Sequence, residues 1–510
     1  MKNSPSILRM KVFQIVDLFQ RKLPIRVLTL AMTALIFALL TPSTIRMVLA
    51  GGQSSPSAAA HDPGVRTDAV DAGQPLANLA QTTGATEFFT NGQTRFEEVE
   101  VVHGGVNNGL GPRFNSNQCS SCHSQPGVGG SSPAASLFPF VGPNPETLVA
   151  NLDGATNTLP SFITADGPVR EARFVHFLNP NGTVSSTADG GVHDLFTIQG
   201  RSDAVGCTLA QPAFAKNVAL ENVTFRIPTP IFGGGLIENI PEEAILSNMQ
   251  QSALQKRGLG ISGHPNRSGN DGTITRFGWK AQNKSLEMFA GEAYNVEMGI
   301  TNELFSNERP SPDEELSSGL PAGCKFNPTP EDATNFLVAA NSDLAAEYAQ
   351  VPSDIVQFAM FMRLLSPPLT SATGIPGNPS ATSISNGSQD FVNVGCALCH
   401  TRTLTTGTSN IAALSRVKAN LFSDLLVHSM GTNLADGVTQ GAAGPNQFRT
   451  APLWGLGQRI FFLHDGRTSD LLDAIQEHSS SGSEANGVIA NFNKLTAQQQ
   501  QDLLNFLRSL

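Results

Sequence analysis

Two short segments of the chain share one arrangement of two cysteines and a histidine. Both have the spacing C-x-x-C-H, and their residues are Cys119, Cys122 and His123 in the first segment and Cys396, Cys399 and His400 in the second. Two thiols one helical turn apart can add to the two vinyl groups of one haem, and the adjoining histidine can supply an axial nitrogen to its iron. A disulfide or a zinc site is the alternative, but zinc would need further cysteine or histidine pairs at finger-like spacing. We therefore predict two covalently bound c-type haems.

The first 50 residues have the composition of an export signal. A basic leader precedes an uncharged, mostly apolar run over residues 27–40, and small or modest side chains occur at 48–50. This run is shorter than the about 20 apolar residues of a membrane-spanning helix. We predict a signal peptide over residues 1–50, a periplasmic location and no membrane span after cleavage. An uncleaved N-terminal anchor is the alternative.

Composition and charge restrict the partners. Charged residues make up 15% of the chain, which contains 48 glycines and 32 prolines, so long ordered loops around a large prosthetic group are expected. Without residues 1–50 the chain has 25 basic and 41 acidic residues, a formal charge of −16. Nucleic acid is therefore not an expected partner, whereas a basic electron-donor protein could be attracted electrostatically.

Two further cysteines, Cys207 and Cys324, remain outside the C-x-x-C-H segments. In an oxidising compartment one disulfide between them is the simplest interpretation. Two buried free thiols are the alternative, because connectivity cannot be deduced from a sequence alone.

Composition along the chain suggests two domains. Residues 51–83 are rich in Gly, Ser, Ala, Pro and Asp, which predicts a flexible tether. A second Pro-, Ser-, Thr- and Gly-rich stretch near residue 380 separates an N-terminal domain, 84–380, from a C-terminal domain, 381–510. The N-terminal domain includes loop insertions and a predicted small β element around 174–198. We predict a mainly α fold with two cytochrome c-like domains in tandem.

The last helix has a recognisable start and a single apolar face. Thr496 can cap it, with Gln499 three residues later, and apolar residues at helical spacing follow at Leu503, Phe506, Leu507 and Leu510.

A weak internal repeat extends beyond the two C-x-x-C-H segments. Residues 225–233 resemble 448–455 with one gap, and 279–286 can be aligned with 464–471. Two copies of one haem-binding unit explain the common order of these segments.

The repeat predicts that the two haems differ in their second axial ligand. His478 follows His464 by fourteen residues, and the equivalent position after Trp279 is Ala293, which cannot bind iron. One haem would have two protein ligands and transfer electrons, and the other would have an open position able to bind peroxide.

Several segments resemble the di-haem oxidoreductase family within the bacterial di-haem cytochrome c peroxidase superfamily. The matching segments are residues 109–115, 125–130, 276–281 and 462–467, and the resemblance covers most of residues 90–510.

The resemblance implies a role for each haem. The C-terminal haem would transfer electrons, with His400 proximal and His478 distal, where the peroxidases typically have methionine. Methionine ligation raises the potential, so two histidines imply a lower one. The N-terminal haem, with His123 proximal, would bind peroxide.

The resemblance also implies two catalytic residues. Trp279 would lie between the haems, and Glu297 would be the distal acid that moves a proton during O–O cleavage. Without the resemblance, Trp279 is better explained as a core aromatic residue, and Glu297 as a charge on a helix surface.

The sequence departs from the peroxidases at two places. They have a detachable histidine soon after the first haem motif, whereas here no histidine follows His123 until His176, and His264 is a weak substitute. Arg459 and Phe461 occupy the positions where the peroxidases hold an interdomain calcium, which argues against calcium here.

Five other residues have weaker assignments. Arg226 and Arg449 could pair with haem propionates or be structural. His428 and Met430 could reach an iron but are better explained as loop residues near the second haem, and His464 begins a structural turn.

The function that these features predict is reduction of hydrogen peroxide with electrons from an external donor, a small cytochrome or a cupredoxin. An oxidase of a protein or organic substrate on the same fold is one alternative. An electron-transfer cytochrome without substrate chemistry is the other.

Overall fold

The computed structural model describes residues 59–68, 71–133, 143–309, 320–334 and 352–510 of the chain. The predicted signal peptide, residues 1–50, lies outside the described residues. Within these ranges, no helix has both the length and the apolar character needed to cross a bilayer.

The described residues include thirteen α-helices, connected by loops that hold the larger share of the chain. Their bounds are α1 Ala85–Phe96, α2 Cys119–Cys122, α3 Glu146–Val149, α4 Phe214–Ala219, α5 Gly234–Glu238, α6 Glu242–Gln250, α7 Ala253–Leu259, α8 Leu286–Glu297, α9 Asp354–Leu364, α10 Ala381–Val394, α11 Leu471–Gln476, α12 Asn486–Phe492 and α13 Ala497–Arg508.

Short antiparallel strands form small sheets in the described regions. Their bounds are β1 Arg113–Phe114, β2 Glu171–Phe174, β3 His176–Leu178, β4 Val184–Ala188, β5 Val192–His193, β6 Phe196–Thr197, β7 Val223–Arg226, β8 Leu404–Thr405, β9 Lys418–Ala419, β10 Val427–Ser429 and β11 Gln447–Arg449. Strand β2 lies between β5 and β7, and the other pairs are β1–β6, β3–β4, β8–β9 and β10–β11. The predicted small β element around residues 174–198 is confirmed.

Two helix pairs, one associated with each C-x-x-C-H segment, pack closely through a glycine. Helix α1 packs on α9, and a Cβ atom at Gly92 would lie 2.4 Å from the backbone oxygen of Gln357. Helix α10 packs on α13, and a Cβ atom at Gly387 would lie 1.8 Å from the backbone oxygen of Asp502. In each pair a glycine therefore allows the two backbones to approach closely.

Each crossing also places one phenylalanine against a haem-motif histidine. Phe96, four residues after Gly92, lies 6.1 Å from the His123 ring, and Phe391, four residues after Gly387, lies 6.3 Å from the His400 ring. Each half of the chain thus has a close helix pair, with a glycine at the contact and a phenylalanine one turn later beside the haem-motif histidine.

The division into two tandem domains stays a prediction. The described residues from 59 onward form one compact unit. Its largest apolar core joins residues from both sides of the 380/381 boundary, including Ile237 and Leu425, and a second core joins Ile261 to Phe391.

The prediction of a flexible tether over residues 51–83 is wrong for its described part, residues 59–68 and 71–83. The Arg66 amide donates to the Gly457 carbonyl over 2.8 Å, and Asp62 forms an ion pair with Arg508 of α13. Leu76 is buried, and its amide donates to the Leu364 carbonyl of α9 over 2.8 Å. These distant partners, which local composition does not reveal, order a polar segment.

Two local predictions are confirmed. Thr496 and Gln499 form a capping box at the start of α13, and the apolar face of that helix is buried. Cys207 and Cys324 form a disulfide with their Cα atoms 4.6 Å apart.

Candidate haem-binding sites

The first C-x-x-C-H segment opens into a cavity of about 1240 Å³, which we call the N-terminal cavity. Helix α2 is one turn long, and the His123 amide donates to the Cys119 carbonyl over 3.1 Å, so both thiols and the imidazole line this cavity. Helix α8, capped by the Ser285 hydroxyl, contributes Ala293 and Glu297 to the same wall, since residues four apart share a helix face.

The His123 ring is oriented as an iron ligand requires. Its Nδ1 lies 3.1 Å from the Gly130 carbonyl oxygen, which makes Nδ1 the donor and leaves Nε2 free for a metal. Burial lowers the pKa of His123 to about 4, so the ring is neutral at physiological pH. A neutral imidazole is the form that binds metal.

The second C-x-x-C-H segment lines a separate cavity of about 1380 Å³, the C-terminal cavity. The His400 Nδ1 lies 2.9 Å from the Phe422 carbonyl oxygen, and burial lowers the pKa of His400 to about 4. His478, just after α11, also lines this cavity, and its Nδ1 lies 2.7 Å from the Ala474 carbonyl oxygen. Both rings therefore keep Nε2 free within one cavity.

The cavities differ in the histidines that line them. Among the described residues, His123 alone lines the N-terminal cavity, whereas the C-terminal cavity has four lining histidines: His400, His428, His464 and His478. Ala293 lines the N-terminal cavity and His478 lines the C-terminal cavity, which are the positions that the internal repeat predicts for them.

Two of the alternative ligands have other partners. His428 is held between Glu484 and Asp424, at 2.8 Å from Nδ1 and 3.0 Å from Nε2. Both ring nitrogens therefore face carboxylates, and neither is free for a metal. His264 lies beside Val427 and Gln447 and lines neither cavity. Met430, in contrast, lines the C-terminal cavity.

Trp279 lines both cavities. It also lines a third cavity of about 560 Å³, which we call the middle cavity. Its indole Nε1 donates to the Ile227 carbonyl oxygen over 2.9 Å, which fixes the ring. Its ring centroid lies 6.4 Å from that of His464, the residue that the repeat aligns with it. The tryptophan therefore occupies the wall between the two cavities.

Glu297 faces a second carboxyl group, that of Glu171, and the two form a hydrogen bond. Burial and the Glu171 charge raise the pKa of Glu297 well above its usual value. Burial would also raise the pKa of Glu171, but Arg173 and Arg226 lower it overall. Within the pair, Glu297 is therefore the group that holds a proton more strongly, and Glu171 is the group that loses one more readily.

Sequence reasoning missed Glu171 and its partner Arg173. They stand two residues apart on β2, so their side chains point to the same face of the strand, and they form an ion pair. A glutamate and an arginine at this spacing in a largely buried strand are the signal that could have identified them. Asn115 also belongs to this polar cluster, because its Nδ2 donates to the Glu297 carboxyl group over 2.8 Å.

The two arginines considered for haem propionates differ in their surroundings. Arg226 lines the N-terminal cavity, pairs with Asp436 at 2.8 Å and donates to Gln440, and its buried Nε has no hydrogen-bond partner. Arg449 donates from Nε to the Gly278 carbonyl, and its buried Nη1 has no hydrogen-bond partner.

These features fit a haem in each cavity. Each cavity combines apolar walls with two cysteines and a histidine whose Nε2 is free. Burial raises the pKa of Cys119 and of Cys396 to about 12, so without a bound metal ion or haem both side chains are thiols at neutral pH. The unpartnered Nη1 of Arg449 also suits a negatively charged group in the C-terminal cavity.

A family model described as "Di-haem oxidoreductase, putative peroxidase" matches residues 180–510. The chain belongs to this di-haem oxidoreductase family. The matched range includes the segment from Cys396 to His400 and begins after the one from Cys119 to His123.

Two solved structures show weak similarity to this di-haem oxidoreductase. Hydrazine synthase from Kuenenia stuttgartiensis, pressurised with xenon, has a TM-score of 0.32 at 12% identity, over 92% of this chain and 100% of that chain. A MauG-like protein associated with microbial copper homeostasis has a TM-score of 0.26 at 17% identity, over 56% of this chain and 90% of that chain. Similarities at these TM-scores carry no weight for the function. Among curated proteins, none matches the chain.

Proposed function

We propose that this di-haem oxidoreductase reduces hydrogen peroxide, using electrons that an external donor delivers to the C-terminal site and that pass to the N-terminal site. The haems supply the redox chemistry, in which one peroxide takes up two electrons and two protons and yields two water molecules. The residues of the chain would bind the haems, provide the path for electron transfer and transfer protons to and from the substrate.

Cys119, Cys122, Cys396 and Cys399 would attach the haems, and His123 and His400 would be the proximal ligands. The hydrogen bonds from their Nδ1 atoms to backbone carbonyl oxygens fix both imidazoles and direct Nε2 into each cavity.

The haems should remain bound after denaturation. Thioether bonds survive acid–acetone extraction, so we expect the extracted polypeptide to keep its colour and intact-protein mass spectrometry to show the added mass of two haems. Cys396→Ala together with Cys399→Ala should reduce the added mass to one haem. Complete extraction from the unaltered protein would contradict covalent attachment.

His478 would be the second ligand of the C-terminal haem. It lines the same cavity as His400, and Ala293 occupies the equivalent position in the N-terminal cavity. The C-terminal site would therefore transfer electrons, and the N-terminal site would leave room for peroxide.

Replacing His478 with alanine should change one haem from low spin to high spin and leave the other unchanged. Absorption and electron paramagnetic resonance spectra measure this directly. His428→Ala is the matched control, because that ring lines the same cavity but both its nitrogens are bound by carboxylates. If His478→Ala leaves the spectrum unaltered, Met430 becomes the better candidate.

The observation that carries the proposal is the Glu171–Glu297 pair beside the N-terminal cavity. Peroxide cleavage requires a proton to move from one oxygen to the other. Two hydrogen-bonded carboxyl groups, one with a raised pKa and one with a lowered pKa, can donate one proton and accept another. Glu297, on the cavity wall, would exchange protons with the substrate, and Trp279 would offer an electron path between the sites.

The reaction of the unaltered protein with peroxide tests the proposal. Half-reduced protein, in which one of the two haems is reduced, should consume hydrogen peroxide in a stopped-flow experiment. Continuous turnover should require a donor such as a reduced small cytochrome. If neither the reduced nor the half-reduced protein reacts, the electron-carrier function replaces the peroxidase.

We also propose that the protein works in an oxidising compartment outside the cytoplasm. The Cys207–Cys324 disulfide supports this location, since disulfides persist where thiols are not kept reduced. The excess of acidic residues favours a donor with a basic surface.

A further inference from the structure

Arg449 and Arg459 are two half-buried cations that line the C-terminal cavity and have no carboxylate partner among the described residues. Arg449 makes one side-chain hydrogen bond, from Nε to the Gly278 carbonyl oxygen over 3.1 Å, and its buried Nη1 has no partner. The Arg459 guanidinium forms neither an ion pair nor a hydrogen bond with any part of the chain that the structure describes.

Both arginines line the C-terminal cavity and also the middle cavity beside Trp279. They repel each other as well, because the Arg459 charge adds to the effect of burial on Arg449. Burial lowers the pKa of each guanidinium to about 10, so both remain charged at neutral pH.

Other arginines of this chain, which are fully buried, have a carboxylate partner. Arg201 is paired with Asp203 at 2.8 Å, and Arg226 is paired with Asp436 at 2.8 Å. Two like charges that are partly withdrawn from water and have no counter-charge are unfavourable, so these guanidinium groups favour an anion that the polypeptide does not provide.

We propose that Arg449 and Arg459 bind the ionised propionate carboxylates of the haem attached at Cys396 and Cys399. This inference rests on the proposed haem attachment and is independent of the peroxidase activity. A planar guanidinium can bind a carboxylate through two parallel hydrogen bonds, and two guanidinium groups match the two propionates of one haem.

The pair would also adjust the redox potential. Two fixed positive charges beside the haem disfavour the more positive, oxidised state and so raise the midpoint potential of the C-terminal site. This increase opposes the low potential expected for ligation by two histidines.

The experiment is a spectroelectrochemical titration of the holoprotein. Arg449→Gln and Arg459→Gln should each lower the C-terminal midpoint potential, and the double variant should lower it further. Arg276→Gln is the matched control, because Arg276 is a buried arginine that lines none of the three cavities. Arg459→Lys keeps the positive charge, so its C-terminal midpoint potential should stay close to that of the unaltered protein.

A C-terminal potential that stays constant in both Gln variants, or that falls equally in Arg276→Gln, would overturn the inference. Inorganic phosphate added to the unaltered protein should not shift the potential; a phosphate-dependent shift would identify a free-anion site and would also overturn it.

A second measurement does not depend on the folding of any variant. Redox-difference infrared spectra of the unaltered protein, with ¹³C in the haem propionates, should show ionised carboxylates at the C-terminal haem. Protonated propionates there would contradict the assignment. Neither measurement involves peroxide, so failure here is distinguishable from failure of the peroxidase proposal.

Discussion

Glu297→Gln should lower the rate of peroxide turnover by about 10²–10⁴-fold, the usual contribution of a general acid–base group. Glutamine keeps the size of the side chain and can still accept the hydrogen bond from the Asn115 amide. It cannot carry a proton, so the loss should appear in the step that cleaves peroxide. Both haems should remain attached, as absorption spectra and intact mass would verify.

Glu292→Gln is the matched control for this substitution. Glu292 belongs to the same helix, lines the same cavity and has Asn283 as its partner. We expect it to change turnover little, because it lies outside the Glu171–Glu297 hydrogen bond. An equal loss in both variants would show a general effect of cavity charge and would contradict the assigned role of Glu297.

The pH dependence provides an independent test of the carboxyl pair. The pKa of Glu297 is raised well above its usual value, so the activity that needs the Glu297 proton should decline as the pH rises through that pKa. Glu171→Gln removes the neighbouring negative charge, which is one cause of the increase. The alkaline limb of the kcat/KM profile should therefore move to lower pH in this variant.

Gly387→Ala should destabilise the protein by about 1–3 kcal/mol or more, the range for forcing extra atoms into a packed core. The added Cβ would lie 1.8 Å from the backbone oxygen of Asp502, so α10 and α13 must separate. That separation would displace Phe391 from the His400 ring. The denaturant midpoint of the holoprotein and the absorption of the C-terminal haem measure the two effects.

Gly258→Ala is the matched control, since this glycine lies in α7 and an added Cβ would meet nothing within 4 Å. Alanine is favoured over glycine in a helix by roughly 0.5–1 kcal/mol, so this variant should be as stable as the original or slightly more so. If Gly387→Ala is tolerated equally well, the close crossing of α10 and α13 is not essential to the fold.

Features that depend on neighbouring residues were predictable from the sequence. The C-x-x-C-H spacing places two thiols and an imidazole on one helical turn, and Thr496 with Gln499 forms a capping box, because both arrangements close within a few residues. The disulfide joins residues 117 apart, but it was predictable for a different reason: only Cys207 and Cys324 lie outside the two C-x-x-C-H segments. The internal repeat indicated that Ala293 and His478 line equivalent cavities.

Other features were decided by tertiary structure, because their partners lie far apart in the chain. Glu297 acquires its raised pKa from Glu171, which is 126 residues earlier. The segment around Arg66 is ordered by α13 and by the loop at Gly457, although its composition resembles a linker. His428 has both ring nitrogens bound by Asp424 and Glu484, and the second of these partners is 56 residues away. Burial and the choice of charged neighbours set the chemistry of these groups, and both exist only after the chain has folded.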